Sequence, residues 1–79
     1  MDEVIAYPNP TNGQFEIAIP KSSKPTIIEV YNMFGQLVLE KSEGINSTRA
    51  QLNLSGKPNG VYFIKVNAED SKTLKLIKE

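Results

Sequence analysis

The chain has no cysteine and no histidine among its 79 residues. Lack of cysteine excludes a disulfide framework and thiolate chemistry. Lack of histidine removes the side chain most often used for proton transfer near neutral pH and, with cysteine gone too, the usual nitrogen and sulfur ligands of zinc. No excess of one charge exists either: nine Lys plus Arg balance nine Asp plus Glu and are scattered along the sequence. Without a basic stripe, nucleic acid is not an expected partner. Apolar runs are short, as at Leu37-Val38-Leu39 and Val61-Tyr62-Phe63-Ile64, well below the ~20 residues of a membrane-spanning helix, so no direct membrane insertion is expected. Met1-Asp2-Glu3 is acidic where a cleavable signal peptide opens with basic residues. An export address, if the protein has one, is expected elsewhere.

What the sequence does contain is alternation at a period of two, broken by turn residues, while helical spacing is hard to find. Residues 4–7 form a short first strand, and Tyr7-Pro8-Asn9-Pro10-Thr11-Asn12-Gly13 follows it. The two prolines bar helix and central-strand pairing and predict an extended entry, and Asn12-Gly13 predicts a sharp turn into the next strand. Residues 14–19 place Phe15, Ile17 and Ile19 on one face until Pro20. In residues 26–32 the charged Glu29 marks the outward parity, so Ile28 and Val30 point inward. Asn32-Met33-Phe34-Gly35 predicts a hairpin into residues 36–41, with Gly35 at positive φ.

After the polar stretch at residues 42–47, residues 48–54 turn Ala50, Leu52 and Leu54 inward. A dense turn at residues 55–60 leads to residues 61–68, with Tyr62, Ile64 and Val66 opposite Lys65. Residues 72–78 close the chain with Leu74 and Leu76 inward. Seven strands at about ten-residue spacing predict an all-β fold, a small antiparallel β-sandwich of immunoglobulin-like kind, without the Cys and Trp markers of true immunoglobulin domains. One compact domain over residues 1–79, monomeric and too thin in the core for a deep substrate cavity, is the expected organisation.

Chemistry-bearing clusters are sparse. The carboxylates, Asp2 and Glu3 included, fall at strand exteriors and turns, where solvation is reason enough for them. Glu69-Asp70 fits a hairpin turn better than a calcium site, having no EF-hand spacing around it. Ser42, Ser55 and Ser71 lie near lysines, but a nucleophile needs an oriented base and a desolvated pocket. Single glycines ahead of strands make turns, not a phosphate loop. No cofactor is expected, and the protein is not expected to be an enzyme. The apolar Ile27, Tyr31, Val61 and Phe63 are different: on the parities set by Glu29 and Lys65 they point away from the core. If the third and sixth strands are neighbours they form a patch, the place for a partner to dock.

Three blocks, in order and spacing, resemble one family. They are Tyr7-Pro8-Asn9-Pro10-Thr11-Asn12-Gly13-Gln14-Phe15, then Val30-Tyr31-Asn32-Met33-Phe34-Gly35-Gln36-Leu37-Val38, then Leu52-Asn53-Leu54-Ser55 leading into Asn59-Gly60-Val61-Tyr62-Phe63-Ile64-Lys65-Val66. The family is the C-terminal sorting domain of the Bacteroidetes type IX secretion system, and the resemblance covers residues 5–79. Lys57 departs from it, standing where the family commonly has an apolar residue.

The resemblance implies a folded address at the tail of a larger cargo protein that passes through the periplasm. An outer-membrane translocon would recognise the domain, and a sortase-like peptidase would remove it by cutting upstream of Tyr7. The cargo would then remain on the outer membrane or cell surface or be secreted. The present chain would be part of such a longer protein. Recognition candidates are Pro8, Asn9, Pro10, Gly13, Tyr31, Gly35, Gly60, Tyr62, Phe63, Lys72, Lys75 and Lys78. Of these, the glycines are expected to act through backbone geometry and Tyr62 through the core, leaving Tyr31, Phe63 and the lysines for direct contact. An accessory adhesion or carbohydrate-binding sandwich is the alternative, with Tyr7, Tyr31, Phe34 and Phe63 as its aromatics.

Overall fold

In the computed structural model, which describes residues 4–79, alternation becomes two facing sheets. Met1, Asp2 and Glu3, used above to look for a leader and for carboxylates, lie outside the described residues. The strands are β1 (Ile5–Tyr7), β2 (Gln14–Ala18), β3 (Thr26–Asn32), β4 (Leu37–Glu43), β5 (Arg49–Asn53), β6 (Gly60–Asn67) and β7 (Ser71–Lys78). One sheet has the order β1-β2-β5 and the other β4-β3-β6-β7, with every neighbouring pair antiparallel. The chain changes sheet after β2, β4 and β5, the three-plus-four arrangement of a small immunoglobulin-like sandwich.

Parity works as the alternation predicts. Phe15, Ile17, Ala50 and Leu52 of the smaller sheet are buried, as are Ile28, Val30, Tyr62, Ile64, Val66 and Leu76 of the larger one. Ile19 and Leu54, each just past a strand, are buried with them. The central β3 and β6 bury one face each, with Ile28, Val30 and Ile64 fully enclosed. β4 runs to Glu43 instead of stopping at Lys41, because Ser42 and Glu43 still find partners in Ile27 and Thr26. A bulge next to Tyr31 pairs it with Leu37 while Val30 pairs with Leu39, so β4 carries one extra residue.

The entry segment departs from the expectation of an extended run. Residues 8–10 bend, and the Tyr7–Pro8 and Asn9–Pro10 bonds are both cis. The segment turns across the end of the sandwich and bonds to β7, which a straight continuation of β1 would leave behind.

Candidate recognition face and the clasp on the C-terminal strand

β3 and β6 are neighbours, as the patch requires. Tyr31 stands opposite Phe63 and, across the other edge, opposite Leu37; Val61 stands opposite Ile77. The outer face of the four-stranded sheet therefore carries Leu37, Tyr31, Phe63, Val61 and Ile77 side by side at one end. Phe63 is 39% exposed and Leu37 50%, so this surface is uncovered, while Tyr31 and Val61 are half-buried against their neighbours. Ile27 does not join them. It pairs with Ser42 and Asn67, and the Glu40–Glu29–Lys65 row lies between it and Tyr31. Four residues along a strand is about 13 Å, too far for one contiguous patch.

The β3–β4 hairpin extends this apolar end into solvent. Asn32 builds it: its Oδ1 accepts from the backbone amides of Phe34 (2.9 Å) and Gln36 (3.0 Å), and its Nδ2 donates to Gln36 Oε1 at 2.8 Å. Gly35 takes φ +82°, the left-handed conformation expected of it. The result is a braced tip holding Phe34 81% exposed beside Met33 at 61%. Sequence parity misses Leu37, which reaches the outer face only through the bulge, whereas Ile77 follows the outward parity opposite Leu74 and Leu76 and Met33 lies in the turn, where parity does not apply. Partial burial, followed by the nearby Glu29 carboxylate, pushes the Tyr31 phenol above its usual pKa, so it stays neutral at physiological pH.

At the same end of the molecule, the Pro-Asn-Pro segment grips β7. The Asn9 side chain behaves like a piece of strand: its Oδ1 accepts from the Ile77 amide at 3.0 Å and its Nδ2 donates to the Lys75 carbonyl at 2.9 Å. Thr11 continues the grip, donating its amide to Ile77 O and accepting from the Glu79 amide, both at 2.8 Å. Thr11 is buried, and its hydroxyl donates to Gln14 O (2.7 Å) while accepting from the Gly13 amide (3.0 Å). Gly13 sits at φ +143°, and a Cβ there would meet Ser55 Oγ at 2.7 Å and the Ser55 backbone at 3.2 Å. Only glycine fits, which is the role expected of it.

These positions put Tyr62 in the core, as expected of it, and correct Lys78 as a direct contact. Tyr62 is a core residue, 3% exposed, its hydroxyl donating to Pro58 O; it is covered and cannot be touched by a partner. Lys78 is 8% exposed. It lies on the inward parity of Leu74 and Leu76, its stem covers the core, and its ammonium donates to Asn59 Oδ1 at 2.8 Å. Lys72 and Lys75 are exposed, with Lys75 opposite Phe63. Pro8, Asn9 and Pro10 are exposed in the clasp, and Gly60 takes φ +145° at the start of β6. Lys57 is exposed in a turn closed by its amide donating to Leu54 O (2.9 Å), so its departure from the family pattern leaves that turn formed.

Among the described residues, nothing elsewhere gathers reactive groups. The outer face of the three-stranded sheet has a polar trough around Tyr7, Glu16, Lys41 and Gln51, but its one acidic group is engaged. Glu16 accepts from the Tyr7 hydroxyl (2.9 Å) and Gln51 Nε2 (3.1 Å) and lies 3.8 Å from Arg49 Nε. The Tyr7 bond first, then Gln51, lowers the Glu16 pKa. A carboxyl that titrates lower folded than unfolded contributes fully above its unfolded value and loses that contribution as pH falls through the folded one. Acidifying from pH 7 to pH 3 is therefore expected to lower the urea midpoint of the wild-type chain slightly more than that of Glu16→Gln, the difference opening as pH falls through the ordinary carboxylate value and growing toward the lowered folded one. Glu69 accepts from the Ser22 hydroxyl (3.3 Å) and the Ser23 amide (3.4 Å), tying two loops together as a turn residue. Among the described residues no three carboxylates converge as a metal site.

A family model described as "Secretion system C-terminal sorting domain" matches residues 5–79. Among curated proteins, beta-agarase A of Zobellia galactanivorans is 32% identical over 68 residues, which is 86% of this chain and 12% of that protein's length.

Proposed function

This chain belongs to the family of type IX secretion system C-terminal sorting domains, and we propose that it is read in its folded form by an outer-membrane translocon through the apolar outer face of β4-β3-β6-β7. The membership makes it a sorting signal and not a catalytic domain. It also implies a cargo fused upstream and export to the outer membrane, the cell surface or the medium. The observation that carries the reading is the match across residues 5–79, the whole sandwich.

The finer reading has physical support. Phe34, Leu37 and Phe63 make an exposed apolar surface on a braced scaffold, the kind of patch that marks an interaction site. We place the transit in the periplasm, where a small sandwich without disulfides folds as a monomer at the tail of a longer chain. The sortase-like peptidase then cuts on the N-terminal side of Val4, because Val4 is buried and β1 is paired with β2. The carbohydrate-binding alternative loses one of its four aromatics: Tyr7 lies on the outer face of the three-stranded sheet, apart from Tyr31, Phe34 and Phe63, which share the proposed recognition face.

A reporter fused ahead of residue 1, in a host with the type IX system, tests both levels. The reporter is expected outside the cell, and retention of the wild-type fusion inside overturns the sorting role. The pair Phe34→Ser and Phe63→Ser is expected to cut export at least tenfold, since central apolar anchors contribute about 1–2 kcal/mol each to binding and every 1.4 kcal/mol is tenfold. Its urea midpoint should stay close to wild type. Undiminished export by that folded variant would move recognition to another surface.

A further inference from the structure

We propose that the outer edge of β7 is a strand-addition site for an extended, acidic segment of another polypeptide, and that Asn9 and Thr11 occupy part of it as a displaceable latch. In the β6–β7 ladder the odd-numbered residues of β7 turn their amides and carbonyls away from β6, as the loop bonds to Lys75, Ile77 and Glu79 demonstrate. The latch satisfies Lys75 O, Ile77 N, Ile77 O and Glu79 N. It stops there. Thr73, two residues earlier, presents its backbone groups to the same edge, beyond the latch's reach.

The latch itself shows which occupant fits. Thr11 pairs with Lys78 as an isolated parallel bridge, so this edge accepts an extended backbone. Half of its bonds come from one side chain, however, and an amide group substituting for main chain can be exchanged for a real strand. An incoming segment can pair first at Thr73 and then replace Asn9 one bond at a time, with no step that leaves the whole edge bare.

Charge argues for the acidic character. Lys72 and Lys75 flank the open stretch, both are exposed, and among the described residues neither has a carboxylate within ion-pair distance. The free edge of β4, by contrast, alternates both signs through Glu40, Lys41 and Glu43, and Lys41 reaches over to Gln51 O at 2.7 Å. That pattern discourages addition there. Binding at β7 is a property of the purified chain and stands apart from the export role, so either can fail alone.

The test uses a fluorescein-labelled nine-residue peptide of alternating valine and glutamate, read by anisotropy and by amide hydrogen exchange. Wild-type chain is expected to bind it weakly, with new protection at the Thr73 and Lys75 amides. Asn9→Ala, which removes two latch bonds, should bind roughly ten- to a hundredfold more tightly. Thr73→Pro takes away the outward donor without touching the β6 ladder and should abolish binding, as Pro is tolerated on an edge. Wild-type exchange and Thr73→Pro keep the test decisive even if Asn9→Ala folds poorly. Equal affinity of folded wild type and Asn9→Ala, protection appearing at β4 or β1 instead, or no protection at Thr73 overturns the proposal.

Discussion

Deleting residues 72–79 is expected to leave a chain without a cooperative unfolding transition, and a reporter fused to it should stay inside the cell. The deletion removes the fully buried Leu76 and the half-buried Leu74, and it uncovers Tyr62, Ile64 and Val66 on β6. Loss of a buried leucine alone costs about 2–5 kcal/mol. The latch bonds to Ile77, Lys75 and Glu79 vanish as well, at about 1 kcal/mol each. A domain of this size has roughly 4–12 kcal/mol of stability in total, from about 0.05–0.15 per residue. The loss is comparable with the whole. Urea titration followed by circular dichroism reads the folding half of the expectation, and reporter fractionation reads the other. A deleted chain that still unfolds cooperatively would make β7 peripheral to the fold, and one that is unfolded yet exported would show that the address is linear.

That dependence on the last strand was only half visible beforehand, and the reason is range. Local alternation is enough to find all seven strands and to choose the faces of β2, β3, β5 and β6, because each carries a charged or apolar marker repeated every two residues. The same rules see Pro-Asn-Pro as an isolated stiff entry. Its partners on β7 are separated from Asn9 by 66 and 68 residues, and no pattern within a strand's length reports such a pairing. Lys78 illustrates a conflict between two local rules: its position after Leu74 and Leu76 assigns it inward, its charge outward. Parity prevails because the long stem lets the ammonium leave the core and reach Asn59. Ile27 fails for a simpler cause, since parity sorts faces and says nothing about distance along them.

On the recognition face, the decisive feature was one register irregularity. A regular β3–β4 ladder would place Val38 beside Tyr31; the bulge substitutes Leu37 and leaves Val38 half-buried against the core. Bulges re-aim side chains at functional edges, and their position depends on how the hairpin closes, here through Asn32 and Gln36. The block from Val30 to Val38 therefore has a physical reading as a unit: strand, braced apolar tip, bulge and exposed Leu37.

Ile64→Ala provides the sharpest separation of folded shape from contact surface. Ile64 is fully buried between Val30 on β3 and Leu74 on β7, so truncation opens a cavity in a thin core at a cost of about 2–5 kcal/mol. With a urea slope of about 1 kcal/mol/M for so small a domain, the midpoint should fall by roughly 2 M or more. Phe63, its immediate neighbour, points the opposite way and stands on the face proposed for translocon recognition. Export of the Ile64→Ala fusion is expected to fail at 37 °C and to recover substantially near 15 °C, where stability curves of small domains peak. Export of the Phe34→Ser and Phe63→Ser fusion should stay low at both temperatures, because its fold was never the defect. If instead cooling rescued both alike, the outer face would be acting through stability, and the partner's contact would have to lie elsewhere on the sandwich.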